Sequence, residues 1–341
     1  MLGFARILFV VGGLFAPAAA VAASPDEDAC ASTPASTEVV AACSQLIEGT
    51  TKPAARAFAF TLRARAKSDL GDLADAVADY SAALTLFPKY DAALNGRASA
   101  YSRLKNYDRA LRDSTQAIGL KPDNAEYYNT RGLTYRGMGD PTKALADFDQ
   151  AIKLMPNYAI AFNNRGTAHN DLRQPDRAIE DFKQAIKLSP NYALAYYNLG
   201  ETENDTEGGD LDQAIADLST ALNLNPALAP AWLNRGIAYA RKKNTAAALA
   251  DFNKVIAMQP HLAEVYRDRG SLYLTISDNA RALADFDKAV SLDPQDAAAR
   301  YERGVARIRT GDSGGGNAEI AAAKALDPKL TRTMAKLLGQ K

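Results

Sequence analysis

The sequence predicts an all-α solenoid of about eight stacked helix–turn–helix units, and three observations predict it. Eight prolines, Pro88, Pro122, Pro156, Pro190, Pro226, Pro260, Pro294 and Pro328, recur at steps of 34, 34, 34, 36, 34, 34 and 34 residues. Small and large apolar residues return at fixed offsets before each proline, on a helical stripe. A second stripe, in the preceding segment, pairs an aromatic residue with a small one four positions later. A period held over most of the chain means that each unit buries its apolar face against its neighbours.

The second helix of each unit is read backward from its proline. Five residues before stands Ala83, Ala117, Ala151, Ala185, Ala221, Val255, Ala289 or Ala323. Eight before stands a large residue (Tyr80, Phe148, Phe182, Leu218, Phe252, Phe286, Ile320), with Ser114 the exception. Twelve before, Ala recurs from Ala76 to Ala282, and Gly316 breaks the column. The proline neither donates to the helix nor continues it, so the chain turns there. The first helix opens on Phe60, Leu94, Tyr128, Phe162, Tyr196, Trp232 or Tyr266, and Gly132, Gly166, Gly200, Gly236, Gly270 and Gly304 follow four residues later. A mid-helix Gly costs about 1 kcal/mol against Ala. Close approach of the partner helix, through its Ala column, would justify it.

These columns resemble the tetratricopeptide repeat family: aromatic-x-x-x-Gly in the first helix, then Ala-x-x-x-Phe-x-x-Ala and a closing Pro. Unit four shows the pattern as Phe162, Gly166, Ala178, Phe182, Ala185 and Pro190. The resemblance covers 57–328 and implies a right-handed superhelix with repeats at 57–90, 91–124, 125–158, 159–192, 193–228, 229–262, 263–296 and 297–328. One column departs from the common pattern. Arg63, Arg97, Arg131, Arg165, Arg235, Arg269 and Arg303 precede the small residue, and an acid stands 16 residues after each. A matched Arg–acid column predicts an ion-pair ladder between packed helices; a basic stripe for an anionic ligand would leave the acids unexplained. Unit five alone has Leu199.

The ends differ from the middle. Arg6 followed by the apolar stretch from Ile7 to Ala23, rich in Ala, Gly and Pro, reads as a cleavable secretory signal over 1–23 rather than a membrane anchor. The expected mature chain then has no integral membrane span. Cys30 and Cys43 are the two cysteines, and export with close spacing predicts one disulfide, two unpaired thiols being the alternative. Residues 24–56 would form an N-terminal cap, with a helix from Thr37 to Glu48 bearing Val40, Cys43 and Ile47. Residues 329–341 would form a C-terminal cap helix with Leu330, Met334, Leu337 and Leu338 on one side. A signal, a Cys-containing half-repeat and Arg-Gly repeats resemble exported repeat proteins of Gram-negative bacteria, which implies a periplasmic or secreted protein.

Charge and chemistry exclude several classes. Lys plus Arg and Asp plus Glu are both 40, which gives no electrostatic case for nucleic acid. His169 and His261 lack ligand-spaced neighbours, and Gly314-Gly315-Gly316 lacks the strand and Lys of a phosphate loop. No enzyme constellation and no cofactor motif is found. The acid-rich run Glu201–Asp212 lies at the two-residue insertion of unit five; it lacks the order of a calcium loop and reads as a lengthened solvated turn.

The resemblance implies that first helices line a concave groove. The inward positions would carry Asn129, Asn163, Asn164, Thr167, Tyr197, Asn198, Glu201, Asn234 and Arg267, with Asn170, Asp171, Asn204 and Asp205 beside them. Asn presents a donor and an acceptor suited to an extended peptide backbone, and the acids would favour Lys or Arg in the ligand. The expected function is non-catalytic: an envelope scaffold binding a peptide segment of a protein partner. The alternatives are a self-assembling structural module, or an accessory subunit of an envelope assembly or glycan-processing complex.

Overall fold

In a computed structural model, residues 29–32 and 35–329 are described. The signal expected at 1–23, and all but the first residue of the cap helix expected at 329–341, lie outside them. The described residues form seventeen helices and no strand, in two compact units that divide at Gly137 and Met138.

The N-terminal unit holds α1 (Thr37–Gly49), α2 (Pro53–Leu70), α3 (Leu73–Leu86), α4 (Asp91–Arg103), α5 (Tyr107–Leu120) and α6 (Ala125–Gly137). The second holds α7 (Pro141–Leu154), α8 (Ala159–Asp171), α9 (Pro175–Leu188), α10 (Ala193–Asp205), α11 (Leu211–Leu224) and α12 (Ala229–Arg241). It continues through α13 (Thr245–Met258), α14 (Ala263–Thr275), α15 (Asn279–Leu292), α16 (Ala297–Arg309) and α17 (Ser313–Leu326). Within each unit a first helix packs on its own second helix and on the second helix of the preceding hairpin wherever that unit contains them, so the inner layers are covered on both sides.

Local chemistry sets the helix ends. Second helices start on a polar cap: the carboxylates of Asp140, Asp210, Asp278 and Asp312, and the amide of Asn244, accept from backbone N–H groups of the first turn. The turn before each cap passes through the left-handed region once per hairpin, at Gly71, Lys105, Gly139, Arg173, Gly208, Lys243, Ser277 and Gly311. Helix α2 begins at Pro53, four residues ahead of the expected repeat start, because proline at the first helical turn loses no hydrogen bond.

The large column fills the core: Phe182, Phe252 and Phe286 are fully buried. In units four, six and seven the recurring glycine meets this column; in unit five Gly200 meets both columns, since a Cβ there would lie 2.8 Å from Leu218 and 2.9 Å from the Ala214 carbonyl. A Cβ at Gly166 would stand 2.6 Å from the Phe182 ring. Unit eight solves the same contact with backbone: a Cβ at Gly304 would lie 2.7 Å from the Gly316 carbonyl, and one at Gly316 would lie 2.6 Å from the Gly304 carbonyl. The glycine that interrupts the Ala column is therefore the partner of the first-helix glycine.

The Arg–acid ladder is formed. Arg63–Asp79, Arg97–Asp113, Arg165–Asp181, Arg235–Asp251 and Arg269–Asp285 are bidentate through Nε and Nη2, and Arg303 Nη2 meets Glu319 at 2.6 Å. The remaining Nη1 reaches the preceding second helix, at Ser81 for Arg97, Asp149 for Arg165, Ser219 for Arg235, Asn253 for Arg269 and Asp287 for Arg303. For Arg63 that acceptor is Ser44 of α1. Each arginine thus ties three helices, which suits its planar fork.

Unit five shows what replaces a rung. Leu199 is buried, and Lys183 stands where the other rungs place the Nη1 acceptor. Buried Asp217 accepts instead from Gln213 Nε2 at 2.9 Å, one turn away on its own helix. Apolar packing at Leu199 is therefore not the whole substitute; a neutral donor was also needed.

At the N-terminus, α1 lies on α2, and the Cys30–Cys43 disulfide is formed with the two Cα atoms 4.6 Å apart. Val39, Ala42 and Cys43 pack with Ala66 and Leu62, and Ile47 is buried on the same helix. Val39 is the more deeply buried valine, and the expected Val40, half-buried, packs against the same cluster on a helix capped by Ser36.

Candidate functional site

First helices also touch one another in the second unit: α8 with α10, α10 with α12, α12 with α14 and α14 with α16. Their shared face carries a row of asparagines. Asn198 Nδ2 donates to Asn163 Oδ1 at 2.8 Å, and Asn234 Nδ2 donates to Glu201 Oε1 at 3.1 Å. The Tyr197 hydroxyl also donates to Glu201 Oε1, and Asn170 Nδ2 donates to Thr202 Oγ1 at 2.6 Å. Asn204 is buried, donating to the Asn234 carbonyl and receiving Arg241 on both its oxygens.

These bonds fix which end of each amide faces outward. The Nδ2 groups of Asn198 and Asn234 donate inside the protein, while their Oδ1 atoms accept nothing among the described residues. Glu201 uses one oxygen for Tyr197 and Asn234. Half-buried amides anchored in this way leave their oxygens as acceptors on this face. Burial, and then the Glu201 carboxylate, push the Tyr197 hydroxyl far above its usual range, so it stays a donor. Burial also raises the Asp205 carboxyl, against the opposing pull of Arg241.

Two expected groove residues, Asn129 and Asn163, are buried. Asn163 points at the neighbouring first helix, where Asn198 meets it. Asn129 belongs to α6 of the N-terminal unit. Asn164 is half-buried, and Thr167 donates back to its carbonyl at 2.7 Å. Arg267 is not an open cation: Asp296 at 3.1 Å, Asp268 at 3.3 Å and Glu264 at 3.8 Å surround it. Beside it, burial pushes Asp268 up to about 6 and Glu302 up to about 7, in both cases against the pull of Arg267. Sequence reasoning passed over Ile160 and Leu194, each 46% exposed, one turn from the asparagines. Their place in the second position of units four and five was the available signal.

The acid-rich run is not one loop. Glu201–Asp205 complete α10, and Asp210 caps α11. Among the described residues, no group of three His, Cys, Asp or Glu is placed to hold a metal. No described helix is long and apolar enough to cross a membrane.

Comparison with known proteins agrees with this architecture. Tetratricopeptide repeat patterns match residues 61–125, 125–158, 159–192, 229–262 and 267–330, and a TPR repeat pattern matches 205–243. No curated protein matches the chain. Among solved structures, the Cut9–Hcn1 hetero-tetramer of the APC/C is similar, with TM-score 0.65 and 14% identity. That match covers 88% of this chain and 59% of that one, so this chain spans under two thirds of its length. A tetratricopeptide repeat protein of Parabacteroides merdae gives TM-score 0.53 at 22% identity, over 73% of this chain and 98% of that one. The human IFIT1 dimer with m7Gppp-AAAA gives 0.59 at 15% identity, over 85% of this chain and 78% of that one. At these identities the likeness is one of fold. With the repeat columns, the stacked hairpins and the matched patterns in agreement, the chain belongs to the tetratricopeptide repeat family.

Proposed function

We propose that this protein is a non-catalytic scaffold of the cell envelope that binds an extended, neutral or basic peptide segment of a partner protein. The segment lies along the first-helix face of α8, α10 and α12. One observation carries the reading: Asn198 and Asn234, anchored through their Nδ2 groups to internal acceptors, and Glu201, anchored by Tyr197 and Asn234, leave a row of open oxygens as acceptors. Backbone N–H groups of an extended chain, or Lys and Arg side chains, supply the matching donors. Ile160 and Leu194 add apolar contact beside the row. Because these acceptors are already positioned, little ordering of the receptor accompanies binding. The cell-envelope setting rests on the apolar segment at 1–23 and on the Cys30–Cys43 disulfide, which suits an oxidising compartment.

Site-specific photo-crosslinking tests this. A benzophenone amino acid at Ile160 or Leu194 should capture a partner segment from an envelope extract. The same label at Leu224, also exposed but on second helix α11, should not. Equal capture at Leu224, or none at Ile160 and Leu194, would place binding elsewhere.

A further inference from the structure

We propose that the N-terminal unit carries a second binding site: a hollow that takes an apolar anchor side chain with a neighbouring carboxylate on a protein partner. A cavity of about 780 Å³ opens between the start of α2 and the turns that follow α3 and α5. Such volumes are typical of ligand sites, which run to roughly 300–1,000 Å³. Phe58, Phe87, Pro88 and Tyr90 form its apolar wall, and Lys89 and Lys121 its basic edge.

The repeat itself shows that the fold does not require these aromatics. Phe58 occupies the second position of its unit, where the later repeats carry residues as different as Ala92, Glu126, Leu194 and Pro230. Phe87 stands directly before the phase-setting proline, where later repeats have Lys121, Met155, Ser189 or Asp293. No other repeat has an aromatic residue at either place. Yet Phe58 is 46% and Phe87 41% exposed, so two rings face water in one hollow. Exposed apolar area gathered at one spot marks a contact surface.

Charge selects the occupant. Asp91 is buried and already claimed twice: Tyr127 donates its hydroxyl at 2.5 Å, and Lys121 Nζ sits 2.8 Å from the same oxygen. Burial works to raise the Asp91 carboxyl, but Lys121 and Tyr127 outweigh it and hold it below its usual range. Lys121 is thereby fixed at the edge with 46% of its side chain still exposed and N–H donors to spare. Lys89 is exposed and forms no ion pair among the described residues. An apolar residue seated on Phe58 and Phe87 therefore has its backbone and neighbours beside two ammonium groups. An acidic neighbour or a terminal carboxylate is favoured, and a basic one is repelled.

The test is selection of a random linear peptide library on the immobilised full chain, followed by titration of the recovered peptides as synthetic molecules. Peptides with an aromatic or branched apolar residue next to Asp or Glu should be recovered. Phe58→Ser and Phe87→Ser should each weaken them at least about tenfold, as expected for a central anchor contact. Lys89→Glu should weaken them further as salt is lowered. Asn198→Ala with Asn234→Ala should leave them unchanged, which separates this site from the first-helix face of the second unit. Both phenylalanines are substantially exposed, so the variants should keep the wild-type circular dichroism melt. Recovery of no peptide that depends on Phe58 and Phe87, or of peptides in which Lys or Arg flanks the anchor, would overturn the proposal.

Discussion

Cutting one rung of the arginine ladder gives the sharpest test of how this stack is held together. In Arg165→Ala the buried Asp181 loses bonds of 2.9 Å and 2.6 Å, and Asp149 loses one of 2.7 Å. His169 Nε2, 3.8 Å from Asp181 Oδ2, is too distant to replace them. Removing one partner of a buried pair costs about 3–5 kcal/mol. The Arg165 side chain keeps 24% of its surface exposed, so the lower end, about 3 kcal/mol, is expected. Replacing both partners leaves no orphan charge, so Arg165→Leu with Asp181→Leu should cost less than the sum of the single changes. The coupling in that cycle should be about 1.5–3 kcal/mol, as for hydrogen bonds to charged groups. Solenoid repeats couple to their neighbours, so a single unfolding midpoint can hide a local loss. Urea melts should therefore be paired with hydrogen exchange, where α8 and α9 should loosen first. An Arg165→Ala variant within about 0.5 kcal/mol of wild type, the range of ordinary surface changes, would refute the structural role of the ladder.

The hairpin turns and the gap in unit five yield two more expectations. Lys105, Arg173, Lys243 and Ser277 hold left-handed backbone at φ of 57–61°, so replacing each by Gly should raise stability by up to about 1 kcal/mol, read as a higher urea midpoint; a fall at all four would contradict the strain. Glu203 is buried with Oε2 unpartnered; burial, and then the Asp217 charge, push its carboxyl up to about 7 from 4.5, with Asp210 adding to the rise and Lys183 opposing it. The folded chain thus holds a proton that the unfolded chain has released across that window, so this contribution to stability is complete below 4.5 and is lost as pH rises through about 7. Glu203→Gln should lessen the fall in melting temperature between pH 5 and pH 8 (about the span of that window), and an unchanged fall would dismiss the group.

The helices and their pairing were legible because both are written as spacing. The prolines phase the hairpins, the small and large columns mark their apolar faces, and an Arg and an acid 16 residues apart fall opposite each other on one hairpin. What was hidden depends on geometry between repeats or on backbone angles that side chains do not announce. Nothing in Lys105 or Arg173 signals a left-handed turn. Asn163 and Asn198 stand 35 residues apart, and only packing of α8 beside α10 turns one of them from a surface donor into a buried acceptor. Arg267, expected at an inward position, is closed off by Asp296 of the next unit, a neighbour that only the fold adds to Asp268 and Glu264. Gln213 as the stand-in for a missing arginine, and the paired exposure of Phe58 and Phe87, likewise appear only once neighbouring helices are in place.

Peptide binding on the first-helix face is tested most directly by calorimetric titration. The ligand is the segment crosslinked at Ile160 or Leu194, titrated into wild type and into the Asn198→Ala, Asn234→Ala double variant. Each lost hydrogen bond is worth about 0.5–1.5 kcal/mol, so affinity should fall roughly 5- to 100-fold. For a basic segment, wild-type affinity should also fall as ionic strength rises, because Glu201 and the neighbouring acids are screened. The internal bonds to Asn163 and Glu201 are lost too, so the variant must first be shown to be folded by its melt. Equal affinity in a folded variant, with no salt dependence for a basic segment, would contradict the acceptor row as the binding surface.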